Sequence, residues 1–175
     1  MVRSLLAGIK TQTRRKSSRV EVGQIIWVKE PFVFDLPGDP RPISYKADFC
    51  LPSGDRSPPI KWKSSLYMTR TASRIQLRVT GFRSECLQSI TESDAIAEGL
   101  NYGSENGKDY RYGIGDDFKG QPGTKHLGWA WEEWESCPIA AYEKLWNSIN
   151  GKDPEYCWDA NPIVNVINFE VLDVQ

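Results

Sequence analysis

Histidine and cysteine are scarce in this 175-residue chain, and their scarcity narrows the chemistry before any motif is considered. One histidine, His126, and four cysteines, Cys50, Cys86, Cys137 and Cys157, are present, with no Cys-x-x-Cys pair and no cysteine close to the histidine. The closely spaced ligand pairs that hold zinc are therefore missing, and neither a metal nor another cofactor is expected. Any His-dependent triad would have to use His126, which sits in the Gly-rich, polar run 120–126 and reads as an exposed loop residue. Long apolar runs are also lacking: Ile25-Ile26-Trp27-Val28 is typical, against the ~20 residues a spanning helix requires. No membrane partner is expected. The apolar stretch after Met1-Val2-Arg3 is too brief for a secretory leader, so a cytoplasmic location is expected, where structural disulfides are rare.

What is present suits one domain: 39% hydrophobic residues in a chain of this length are enough for a single core without staples. The net charge of −1 conceals an asymmetry. Residues 1–80 carry 15 Lys/Arg against 6 Asp/Glu, whereas residues 81–175 carry 7 against 17. A basic half attracts phosphate or another anion; alternatively, the halves interleave in one domain and neutralise each other.

Local patterns predict the elements. Residues 2–7 read as a short helix stopped by Gly8, followed by the basic run Lys10-Thr11-Gln12-Thr13-Arg14-Arg15-Lys16. Gly23–Lys29 is a strand by its β-branched and aromatic content, and Ile43–Lys46 a short one inside a Pro-rich loop region, 32–65. Residues 74–80 alternate apolar and polar at period two, the clearest strand signal in the chain. Thr91 caps a short helix that Gly99 ends, and a second helix is predicted over 138–150, with Ile139, Tyr142, Leu145, Trp146 and Ile149 on one face and Gly151 beyond it. The region 101–136 is rich in Gly and Trp and suits a loop insertion; Trp129, Trp131 and Trp134 there suit either base stacking or lid packing, with Glu132, Glu133 and Glu135 opposing the former. Residues 163–171 form a last strand. The fold class expected is α+β, a small curved, barrel-like sheet with short flanking helices.

The basic run places an amine, hydroxyls and guanidinium groups together directly after a helix stop. Crowding by Arg14, Arg15 and Lys16 disfavours the Lys10 ammonium, which would suit a base acting on a threonine hydroxyl. The alternative is a solvated basic turn that contacts phosphate without specificity.

Gly8-x-Lys10-x-x-Thr13-x-Arg15 resembles the N-terminal signature of ASCH domains, members of the PUA-like β-barrel group of RNA-associated folds. Trp27-Val28-Lys29-Glu30, Tyr45-Lys46-Ala47-Asp48, the blocks spanning 62–74 and 94–99, and Trp158-Asp159-Ala160-Asn161-Pro162 are further similar to an uncharacterised bacteriophage and prophage group. The resemblance covers most of residues 1–175, with 32–65 and 101–136 as insertions and without the short strand that usually precedes the first helix. It implies an amidohydrolase that deacylates N(4)-acetylcytidine or a related acylated nucleobase. In that reading Thr13 is the nucleophile, Lys10 the base and Glu98 the acid or orienting group, while Arg14, Arg15 and Trp27 contact substrate. It also leaves open a non-catalytic RNA- or DNA-binding module, or a phage accessory or assembly protein. From residues alone, Glu98 reads equally as a solvated carboxylate at a helix end.

Overall fold

The computed structural model describes residues 2–49, 60–104, 107–115 and 128–174. Among the described residues, eight strands and three α-helices form an α+β architecture in which every strand pair is antiparallel. The alternating run identified at 74–80 opens the long strand β5 (Ile75–Cys86), whose Ile75, Leu77 and Val79 point into the core. β5 pairs along its length with β8 (Ile163–Val174). Two register irregularities interrupt that ribbon, leaving Thr80 and Leu172 unmatched; such bulges bend and twist a ribbon. β1 (Gln12–Arg15) adds to the free edge of β8 and β2 (Ile25–Trp27) to that of β5, giving the order β1-β8-β5-β2. No pairing joins β1 to β2 among the described residues, so the hydrogen bonding is that of an open four-stranded sheet rather than a closed barrel.

Along β8, Val164 and Val166 are buried on one face and Ile167 and Phe169 on the other. Both faces are therefore covered. One cluster joins Val164 to Leu87, Leu100, Trp158 and two helices, α2 (Glu92–Ala97) and α3 (Pro138–Asn150). The other joins Ile167 and Phe169 to Ile75, Leu77, Val79 and to Leu5 of α1 (Val2–Leu6). α3 has the predicted bounds, with Pro138 in its first turn and a buried stripe of Ala141, Tyr142, Leu145 and Trp146. Ile149, expected on that stripe, is 67% exposed because no described residue covers the last turn.

The described part of the Pro-rich region holds more regular structure than its composition implies. β3 (Phe32–Phe34) and β4 (Ile43–Tyr45) form a ribbon whose Phe32 and Tyr45 pack with Met68 and Ala72 in a third cluster. A buried ion network anchors it: Arg74 Nε donates to Glu30 Oε1 at 2.9 Å, Arg74 Nη2 lies 2.7 Å from Asp48 Oδ1, and the guanidinium lies 4.2 Å from the Tyr45 ring centroid. The Gly-rich region likewise holds a ribbon, β6 (Asn101–Gly103) with β7 (Arg111–Gly113). Trp131 and Trp134 stack on it at 5.1 Å between centroids. A Cβ on Gly113 would stand 2.8 Å from the Trp134 ring, so a glycine is required there for the indole to lie against the backbone. These tryptophans are packing residues. Among the described residues no helix is long and apolar enough to cross a membrane. His126 and Cys50 lie outside the described residues.

Candidate functional site

The site is assembled where the start of β1 meets the end of α2. After α1, Gly8 adopts φ +71°, and the N–H groups of Ile9 and Lys10 both donate to Ser4 O at 2.9 Å, which turns the chain sharply into β1. Thr11 N then donates to Ala97 O at 2.9 Å. From the other side, the Thr91 side chain accepts from Asp94 N, as predicted for the N-cap. Gly99 ends the helix at φ +99°, and a Cβ there would stand 3.1 Å from the Cβ atoms of both Lys10 and Ser4. Conformation and close approach together therefore require the glycine that follows Glu98.

This arrangement buries three ionisable groups side by side: Lys10, Arg14 and Glu98 are 5%, 4% and 2% exposed. Lys10 Nζ donates to Glu98 Oε2 at 2.8 Å, Glu98 O at 2.7 Å and Gln12 O at 2.8 Å. All three donors of an ammonium are thereby used. Glu98 Oε1 accepts from the Tyr142 hydroxyl at 3.5 Å and lies 3.6 Å from Arg14 Nη1. Arg14 Nη2 donates to Glu85 Oε1 at 2.7 Å and Asp94 Oδ2 at 3.2 Å, carboxylates that Arg83 also contacts.

Burial pulls the Lys10 ammonium below the usual lysine range, the Glu98 carboxylate opposes this, and Arg15 and Arg14 add to it. Burial pushes the Tyr142 hydroxyl far above the ordinary tyrosine range, so it stays a neutral donor. Burial also disfavours the charged forms of Glu85 and Asp94. The hydrogen bonds and charges of Arg83 and Arg14, with the Thr91 hydroxyl helping Asp94, outweigh it and hold both carboxyls below their usual values. The solvated basic turn and the solvated Glu98 considered for the sequence are replaced by an edge strand in which Gln12 and Arg14 are buried and by a buried carboxylate.

A cleft of about 270 Å³ opens beside this cluster, between the edge strand β1 and the last turns of α3. Thr13, Arg14, Arg15, Lys16, Ser17 and Glu98 form one wall; Tyr142, Leu145, Trp146, Ile149 and Asn150 form the other. Comparison with protein-family models, with curated proteins and with solved structures finds no match. The site therefore rests on its own geometry.

Of the sequence-derived candidates, Thr13, Arg14, Arg15 and Glu98 share the cleft, and Lys10 stands behind Glu98 in contact with it. Trp27 does not join them. It lies in β2, at the opposite edge of the sheet from β1, packed on the Phe32 cluster with Lys29 Nζ 4.9 Å from its ring centroid. Tyr142 and Trp146 were read from the sequence only as a core stripe. The signal that pointed further was the tyrosine itself, since a buried hydroxyl needs a polar partner and this one finds Glu98.

Proposed function

We propose that the protein is an amidohydrolase of the ASCH type, related to PUA-like folds, that removes the acyl group from an N(4)-acylated cytosine nucleoside. The observation that carries the reading is that Thr13 and Glu98 line one cleft while Lys10 is bonded to Glu98 from behind. The Thr13 hydroxyl makes no hydrogen bond with any described residue.

The geometry favours a division of labour different from the one the resemblance implies. A lysine whose three protons already point at three oxygens is a poor base, because neutralising it would leave one buried acceptor without a donor. Glu98 is the carboxylate on the cleft and the better proton acceptor. In this mechanism Thr13 Oγ adds to the acyl carbonyl and Glu98 takes the hydroxyl proton. The C–N bond then breaks, with that proton delivered to the leaving N4 amine, and water cleaves the acyl-threonine ester to carboxylic acid and free Thr13. Arg14 and Arg15 make the wall electropositive, which favours the oxyanion. Lys10 is a positioning residue that fixes the Glu98 carboxylate. With purified protein and N(4)-acetylcytidine, cytidine release is expected to fall to background in Thr13→Ala; undiminished release by that variant would remove the nucleophile from the scheme.

A second reading, non-catalytic binding of single-stranded RNA, is favoured by a separate surface. Residues 56–84 contain no Asp or Glu, and Leu66 and Tyr67 there are 79% and 76% exposed. Lys63 Nζ lies 4.8 Å from the Phe34 ring centroid, and Lys29, beside Trp27, reaches Leu66 O at 3.5 Å. Aromatic faces interleaved with lysines suit base stacking along a phosphate backbone. Oligonucleotide affinity should then fall with salt by about 0.7 log units per phosphate contacted for each tenfold rise. No binding at low salt would dismiss this reading.

A further inference from the structure

The cleft holds more cationic donors than hydrolysis of a neutral nucleoside uses. Three of its lining residues, Arg14, Arg15 and Lys16, are cationic and only Glu98 is anionic, and the Glu98 carboxylate is already matched by Lys10. Lys16 is paired, with Nζ 2.8 Å from Asp153 Oδ2. Arg15 is different: its exposed guanidinium makes no hydrogen bond or ion pair with any described residue. Behind it, Arg14 is fully buried at the side chain: its Nη2 is taken by Glu85 and Asp94, its Nη1 lies 3.6 Å from Glu98 Oε1 without a hydrogen bond, and its Nε has no partner among the described residues. Buried donors left unmade are costly, and such groups are rare in native structures unless something else completes them. Thr13 and Ser17 also line that wall, while Trp146 and Ile149 make the facing wall apolar.

A wall of guanidinium donors opposite an apolar wall fits a ligand with an anionic end and a flat, less polar body. The volume, about 270 Å³, lies at the low edge of the roughly 300–1,000 Å³ usual for small-molecule sites, which suits one nucleotide rather than several. Resting on the reading of this cleft as the substrate site, we propose that its ligand is a nucleoside monophosphate, with the phosphate held by Arg15 at the rim. The substrate class is then an acylated cytidine monophosphate, and the protein discriminates against the unphosphorylated nucleoside. Arginine is well suited to this, because its fork of donors matches phosphate oxygens and is not lost by titration.

The test is calorimetric titration of the protein with cytidine, cytidine 5′-monophosphate, inorganic phosphate and a short cytidine oligonucleotide, followed by turnover of N(4)-acetylcytidine with and without the 5′-phosphate. The monophosphate is expected to bind about tenfold or more tighter than cytidine, the scale of one charge-assisted contact. Arg15→Gln, a change at an exposed side chain that leaves the buried cluster intact, should remove that preference. Equal affinity for cytidine and its monophosphate overturns the proposal, as does a preference that survives Arg15→Gln, or an oligonucleotide bound more tightly than the monophosphate. The turnover arm separates this from the enzymatic reading: monophosphate preference without hydrolysis supports the anion site and removes the deacylase, whereas hydrolysis with no phosphate preference does the reverse.

Discussion

Glu98→Gln is expected to lower turnover of an acylated cytidine by about 10²–10⁴-fold and to destabilise the fold by about 3–5 kcal/mol. The two effects have one origin. Glu98 is 2% exposed and is the counter-charge for Lys10 at 2.8 Å and for Arg14 at 3.6 Å. The amide keeps the size of the side chain and one acceptor oxygen, but it leaves buried Lys10 without its anion, leaves Arg14 to Glu85 and Asp94, and removes the group assigned to move the proton. Breaking one partner of a buried pair costs more than the pair itself contributes, because the remaining charge stays desolvated. Urea unfolding followed by fluorescence, alongside kcat on N(4)-acetylcytidine, reads both quantities. Full activity in a protein of reduced stability would make Glu98 a structural residue only.

Arg74→Ala should cost a similar 3–5 kcal/mol, at a site far from the cleft in the sheet order. Glu30 is 1% exposed and its carboxylate is held by Arg74 Nε and Nη2 at 2.9 and 3.2 Å. Burial already pushes the Glu30 carboxyl above its usual range, against the hydrogen bonds and charge of Arg74; without the arginine, burial acts with less opposition. The sign follows from linkage. A carboxyl whose folded-state pKa is raised contributes stability that is fully present below its unfolded-state pKa and lost as pH rises through the folded-state value. The deficit of Arg74→Ala relative to wild type is therefore expected to be smallest in acid and to grow towards neutral pH. Replacing both partners, Glu30→Leu with Arg74→Met, should restore much of the loss, since an apolar pair of similar volume avoids desolvating charge. A deficit independent of pH would mean that lost packing on Tyr45, not the stranded carboxylate, sets the cost.

The regular elements were legible wherever one periodicity dominated. Pro138, the stripe Tyr142, Leu145, Trp146 and the closing Gly151 delimit α3, and the alternation at 74–80 marks β5. Ile149 fell outside the core because hydrophobic spacing records which face a residue is on, not whether another element covers that turn. The second half of β5 was not visible, since Gly81 to Cys86 alternate only between partial burial and exposure, and their pairing depends on β8 far along the chain. β1 is the clearest failure of local reasoning. Gln12-Thr13-Arg14-Arg15 has no apolar residue, and Arg14 is buried within it because its counter-charges lie 71 and more residues away, at Glu85, Asp94 and Glu98. The charge asymmetry contained that information in coarse form: Lys10 with Glu98, Arg14 with Glu85 and Asp94, and Lys16 with Asp153 each join the basic half to the acidic half. The interleaved alternative accounts for part of the asymmetry, and Arg15, whose guanidinium has no hydrogen bond or ion pair with any described residue, is the cation at the cleft that the proposal assigns to a ligand.

The central claim, that Thr13 attacks the acyl carbon in this cleft, is tested most directly by quenching the reaction with N(4)-acetylcytidine in acid and mapping the protein by peptide mass spectrometry. An acetyl group is expected on the peptide containing Thr13, forming and decaying at rates that match cytidine release, and accumulating when ester hydrolysis is slowed. Cytidine released with no acetylated Thr13 at any time, or acetyl found only on another residue, would contradict it.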